Sequence, residues 1–196
     1  MQLRVNNHAE GSGHSIKKRP DVEKCVKSED IVRVYPTRLE KAKDLADIFE
    51  IVKDAVRSRL GTSRGGLMLG LAELGGSSNG WIGGLYPVAT NVIVMNKGPM
   101  ERIMEQSPEL YKPYCFHILL HEYIHAIGYM DEALTRRKAL EISEALFGRE
   151  HLATMMAVDI VQFFPTLTYP VSTPAPQGMN IELVKGFDRS SASYIC

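Results

Sequence analysis

His117-Ile118-Leu119-Leu120-His121-Glu122-Tyr123-Ile124-His125-Ala126-Ile127-Gly128 contains the pattern HExxH. On a helix, a spacing of four puts His121 and His125 one turn apart on one face, where their imidazoles converge on one metal ion. Glu122 stands beside the first of them, so its carboxylate can reach a metal-bound water and take its proton. Apart from His117, every position from Phe116 to Gly128 outside the motif's His121, Glu122 and His125 is apolar, small or Tyr. The pattern therefore predicts a buried helix from Tyr114, ended by Gly128. Two histidines and a glutamate are costly in such a helix unless a metal satisfies them. The expected cofactor is Zn2+, with His121 and His125 as ligands and Glu122 as general base. His117 shares the face but lies two turns, about 12 Å, from His125, so the three cannot bind one ion together. It is expected to pack. His8, His14 and His151 have no ligand spacing.

Downstream, Gly128 permits a sharp turn. Asp131, six residues after His125, is the expected third ligand, and it also stands where a second helix, Asp131 to Phe147, needs an N-cap. Glu132, Glu141 and Glu144 are the alternatives. A tight helical hairpin would set residues near 135–138 opposite the histidines. Glu141 and Glu144 then overshoot at about 1.5 Å per residue and read more simply as a solvated face beside Arg136, Arg137 and Lys138. Cys25 is a further candidate, since thiolate is a good zinc ligand. A third helix is expected over 150–164.

Upstream, Ile31-Val32-Arg33-Val34-Tyr35 alternates and is stopped by Pro36, which predicts a strand. Thr37 can cap a helix whose apolar positions recur from Leu39 to Leu60, with Gly61 closing it. Residues 61–84 hold nine of the sixteen glycines. No GxxxxGK[ST] is present and no GxGxxG follows a strand, so tight turns explain them better than a phosphate loop. Strands are expected at 67–72, 81–86 and 91–96.

The chain has 196 residues, 44% hydrophobic and 23% charged, which suits one ordinary domain. Lys+Arg and Asp+Glu both number 23, so no global charge favours nucleic acid or an acidic membrane. No run of 18 uncharged apolar residues predicts a membrane span. The three cysteines, Cys25, Cys115 and Cys196, form neither a disulfide framework nor a CxxC site, and the expected location is the cytoplasm. Residues 1–30 are polar and read as a mobile N-terminal tail, 31–164 as the catalytic domain, and 165–196 as a proline-rich C-terminal extension with a short strand at 181–184. The fold class is α/β in the α+β sense: a compact domain with a small mixed sheet packed on an active-site helix and backing helices.

Extended to Asp131, the motif becomes HExxHxxGxxD. It resembles the zincin metallopeptidases, specifically the metzincin pattern with Asp in the last place, as in snapalysin-type enzymes. In metzincins the glycine turns the chain so that the last residue returns to the zinc, which is the role the resemblance gives Gly128 and Asp131. It extends loosely to the 91–96 strand as the edge strand that holds peptide. The resemblance implies zinc-dependent hydrolysis of peptide bonds in a peptide or protein substrate. His121-Glu-Tyr-Ile-His125-Ala-Ile-Gly128-Tyr129 is also similar to the HGxLHxxGYDH stretch of bacterial rRNA-maturation endonucleases, with Glu122 in place of Gly and Asp131 in place of the last His. A glutamate at 122 is what peptide hydrolysis needs, so the endoribonuclease is the runner-up. A non-catalytic zincin-like regulatory module is the third reading.

Overall fold

The structure is a computed structural model that describes residues 28–77, 80–164 and 180–189. In chain order the elements are α1 (Ser28–Lys41), α2 (Leu45–Leu60), β1 (Met68–Ala72), β2 (Gly76–Ser77), β3 (Gly80–Trp81), β4 (Gly84–Leu85) and β5 (Val92–Asn96). They continue with α3 (Lys97–Gln106), α4 (Pro108–Ala126), α5 (Glu132–Phe147), α6 (Leu152–Val158), a short 3-10 turn (Val161–Phe163) and β6 (Glu182–Val184). The expected α+β class is the one found, with six helices and a small mixed sheet.

The strand expected at 31–35 is helix instead. A five-residue alternating run fits either period, and here the helical one wins because Tyr35, Leu39 and Ala42 fall on one buried stripe while Val34 is exposed. The single helix expected from Leu39 to Leu60 is two. Asp44 breaks it with an extended backbone and caps α2, its carboxylate accepting from Asp47 N at 2.8 Å. Gly61 (φ +66°) ends α2 as expected.

The larger sheet has the order β4-β5-β1-β6. β1 and β5 pair in parallel, Met68 opposite Val92 through Ala72 opposite Asn96, and β4 and β6 flank them antiparallel. The edge strand on the α4 side is therefore β4, not the 91–96 strand, which lies between two partners with four of its five residues buried. The expected 81–86 strand is split between β3, which closes a small hairpin on β2, and β4. α3 was not foreseen from the sequence. The expected 150–164 helix is reduced to α6 and the 3-10 turn.

α4 is the central rod. It packs against α2, α3, α5, α6 and the sheet, and Tyr114, Cys115, Phe116, Ile118, Leu119 and Leu120 together with Tyr123 and Ile124 are buried around most of its circumference. Pro108 sits at its first turn, where no intrahelical N–H is lost. Among the described residues no helix is long and apolar enough to cross a membrane. Residues 180–189 of the C-terminal extension return to this body. β6 pairs with β1, Phe187 stacks on Phe49 with ring centroids 4.0 Å apart, and Asp188 pairs with the buried Lys53. Residues 1–27, including Cys25, His8 and His14, lie outside the described residues.

Candidate metal centre

The last two turns of α4 carry His121, Glu122 and His125. α4 ends at Ala126, and the chain reverses through Ile127–Asp131 into α5. Ile127 N, Gly128 N and Tyr129 N bond back to Tyr123 O, His125 O and Ile124 O at 2.9–3.2 Å. Gly128 adopts φ +112°, a conformation a side chain would strain, so the expected turn is where the sequence put it.

The turn brings a third donor to the histidines, and that donor is Glu132 rather than Asp131. The two Nε2 atoms lie 3.2 Å apart, His121 Nε2 is 3.4 Å from Glu132 Oε1, and His125 Nε2 is 3.3 Å from Glu132 Oε2. Asp131 is committed elsewhere: its carboxylate caps α5, accepting from Leu134 N at 2.7 Å. The physical reason lies in helix geometry. Side chains in a helix lean toward its N-terminus, so a first-turn Glu132 reaches back across the loop to α4, while the cap residue turns inward to its own helix. Glu141 and Glu144 are occupied by Lys138 and Arg149. His117 is not in the group; its Nδ1 is buried without a hydrogen-bond partner among the described residues, and burial pushes the ring's pKa down to about 4.

His121, His125 and Glu132 could hold a metal ion. Ligand atoms about 2.0–2.1 Å from a tetrahedral ion stand about 3.4 Å from one another. The two Nε2 atoms stand 3.2 Å apart, close to that edge length, and each faces its own oxygen of the Glu132 carboxylate at 3.3–3.4 Å. The protonation states suit a cation too. His125 Nδ1 lies 2.6 Å from Tyr129 O, which can only accept, so Nδ1 carries the proton and Nε2 presents its lone pair. Thr135, fully buried, donates to the same carbonyl at 3.0 Å and fixes it. Burial holds His121 below its ordinary pKa, outweighing the opposing pull of Glu132. For Glu132, partial burial works to raise the pKa, but His121 and Arg136 outweigh it and the carboxyl is held below its usual range. Arg136, one turn on, grips Glu132 Oε1 at 2.8–2.9 Å. Two imidazole nitrogens and a carboxylate form the donor set.

Glu122 lies against β4 and is buried, near enough to Glu132 to feel its charge. Its carboxylate accepts a hydrogen bond from the backbone of Tyr86. Burial, aided by the Glu132 carboxylate, pushes its pKa up to about 8. The contact with β4 depends on Gly84. A Cβ there would stand 2.9 Å from the Ile118 side chain, 2.9 Å from Val94 O and 3.3 Å from Glu122 Cγ. Tyr123 is structural: its hydroxyl accepts from Arg64 N at 2.7 Å and donates to Arg64 O at 3.0 Å. The sequence reading missed Arg136, Thr135 and Tyr86. Arg136 had a signal, standing four residues after Glu132 on a helix. Tyr86 and Thr135 act through backbone groups and had none.

A comparison of the chain with protein-family models, curated proteins and solved structures finds no match.

Proposed function

We propose that this protein is a zinc-dependent metallopeptidase whose metal is held by His121, His125 and Glu132, with Glu122 as general base. The observation that carries the reading is the convergence of two imidazole Nε2 atoms, 3.2 Å apart, on the two oxygens of the Glu132 carboxylate at 3.3–3.4 Å, one residue from a buried glutamate. Two imidazoles and one carboxylate are a donor set of catalytic zinc sites, whereas magnesium and calcium favour oxygen ligands throughout. A zinc ion there would supply a Lewis acid and a water acidic enough to lose its proton near neutral pH. A carboxylate from the helix after HExxH resembles the gluzincin arrangement rather than the metzincin one.

The chain's own residues supply the rest. Glu122, already biased toward the protonated form, suits a group that takes a proton from water and returns it to a leaving amine. Tyr129 O holds His125 in one tautomer, and Arg136 steers Glu132. β4 pairs only with β5 among the described strands, so its outer edge offers backbone donors and acceptors to an extended peptide beside Glu122. The cytoplasmic setting is part of the same proposal and rests on Cys115 being a buried free thiol.

The experiment is metal analysis with cleavage assays on peptide, protein and RNA, for wild type and Glu122→Gln. The reading expects about one zinc per chain in both, with peptide hydrolysis lost by about 100-fold or more in the variant. RNA cleavage without peptide cleavage would turn the assignment to the endonuclease. Zinc binding with no turnover of any substrate would leave a regulatory module.

A further inference from the structure

Arg64 sits in the loop between α2 and β1, remote in sequence from the metal donors and from Glu122, yet its guanidinium joins the two walls of the site. Nη1 donates to Ala126 O at 2.8 Å and to the Tyr86 hydroxyl at 2.6 Å, and Nη2 donates to Thr90 O at 2.7 Å. Its backbone N–H and C=O are both taken by the Tyr123 hydroxyl. Ala126 is the residue after His125, and its carbonyl is one of those a helix leaves unpaired at its end. A cation there also matches the helix dipole. From that same turn the loop departs whose Tyr129 carbonyl orients His125. On the opposite wall, Tyr86 supplies the backbone group that holds Glu122, and its hydroxyl, gripped by Arg64, donates to Thr90 O at 2.7 Å.

Resting on the peptidase reading above, we propose that Arg64 is the positioning residue of this site, a single fork that sets the helix end bearing His125 in register with the strand-and-loop wall that holds Glu122. Lysine cannot replace it, because three acceptors on two elements need a planar group with several fixed donors. Arg64 touches neither the metal donors nor the β4 edge. Its loss should therefore act on metal affinity, ligand geometry and turnover, and leave substrate affinity alone.

The test uses full-length Arg64→Lys, Arg64→Met and Tyr86→Phe, loaded with cobalt(II) as a visible-absorbing substitute for zinc. Tyr86→Phe removes only the phenol arm of the fork and guards against a misfolded Arg64 variant. Expected are native far-UV circular dichroism, metal affinity lowered about 10–100-fold in Arg64→Met, as for other groups that support metal ligands, and a changed cobalt absorption band. Peptide kcat should fall by at least about as much while KM changes less than about 2-fold, and Arg64→Lys and Tyr86→Phe should lie between wild type and Arg64→Met. Variants that match wild type in affinity, band shape and kcat overturn the proposal, as does a loss confined to thermal stability. If wild type binds cobalt but cleaves no peptide, the peptidase reading fails, and affinity and band shape still decide the role of Arg64.

Discussion

Replacing Glu132 by Gln tests the third donor directly. The substitution keeps the shape of the side chain and removes its charge and its strength as a ligand. Groups that merely support a metal ligand cost about 10–100-fold in affinity when lost, so a ligand should cost at least about 100-fold, or roughly 2.7 kcal/mol. In the metal-free protein the same change removes the ion pair with the largely exposed Arg136, which contributes at most about 1 kcal/mol, and weakens the contacts with His121 and His125. The signature is therefore a loss of zinc-induced stabilisation. With free zinc in excess of both dissociation constants, the zinc-dependent rise in Tm should shrink by roughly 5–11 °C, taking about 2–4 °C per kcal/mol for a chain of this size. Asp131→Asn is the control. Asn caps a helix as well as Asp, so zinc affinity should stay within about 3-fold of wild type. Differential scanning fluorimetry with a competitive zinc chelator reads both quantities. If Asp131→Asn abolishes the zinc increment and Glu132→Gln preserves it, the donor triangle has been misassigned and the ligand is the cap residue.

Three further outcomes follow from the packing. Burial holds the His117 and His151 rings below the ordinary histidine pKa of 6.5, and His151 Nδ1 accepts from Ala153 N as the cap of α6. The unfolded chain therefore binds these protons first, so the share of stability owed to these two rings is intact above about pH 6.5 and drains away as pH falls toward 4, whereas the raised pKa of Glu122 acts in the opposite sense, removing stability as pH rises through about 8. Chemical denaturation of zinc-free protein should show this, and both His151→Asn and His117→Leu should flatten it; an unchanged slope would refute the assignment. Gly84→Ala should cost about 1–3 kcal/mol in urea unfolding because the new methyl meets the Val94 carbonyl, and it should lower peptide turnover by displacing β4 from Glu122. A Gly84→Ala variant as stable and active as wild type would show that β4 yields freely. Tyr123→Phe strands both backbone groups of Arg64 and should destabilise by about 1–3 kcal/mol with zinc still bound; loss of zinc instead would make Tyr123 part of the site.

What the sequence made legible was whatever local chemistry decides. The 3.6-residue pattern around HExxH, the glycine after it and the apolar runs at 67–72 and 91–96 gave the central helix, its turn and the two parallel strands. Segments settled by tertiary contact were misread. Ile31–Tyr35 has a strand's alternation, yet Tyr35 and Leu39 are held in a helix by the core they fill. The 91–96 strand looked like an edge until β4, only two residues long, was found outside it. At the centre itself the sequence favoured Asp131, whereas the structure groups its neighbour Glu132 with the histidines: the two are adjacent, and which one faces the histidines depends on where α5 begins. Arg64 offered no local pattern at all.

The pairing of β6 with β1 has a consequence for how the chain is made. Phe49 waits for Phe187, and Lys53 waits for an aspartate 135 residues further on. As the polypeptide emerges from the ribosome, the helices and the parallel strand pair can assemble early. One edge of the sheet and a patch over α2 remain open until residues 182–188 arrive. Closing so long a loop is slow relative to the local contacts that precede it. A chain ending before residue 180 would leave Phe49 without its stacking partner and β1 with an open edge, a surface of the kind that pairs with other chains.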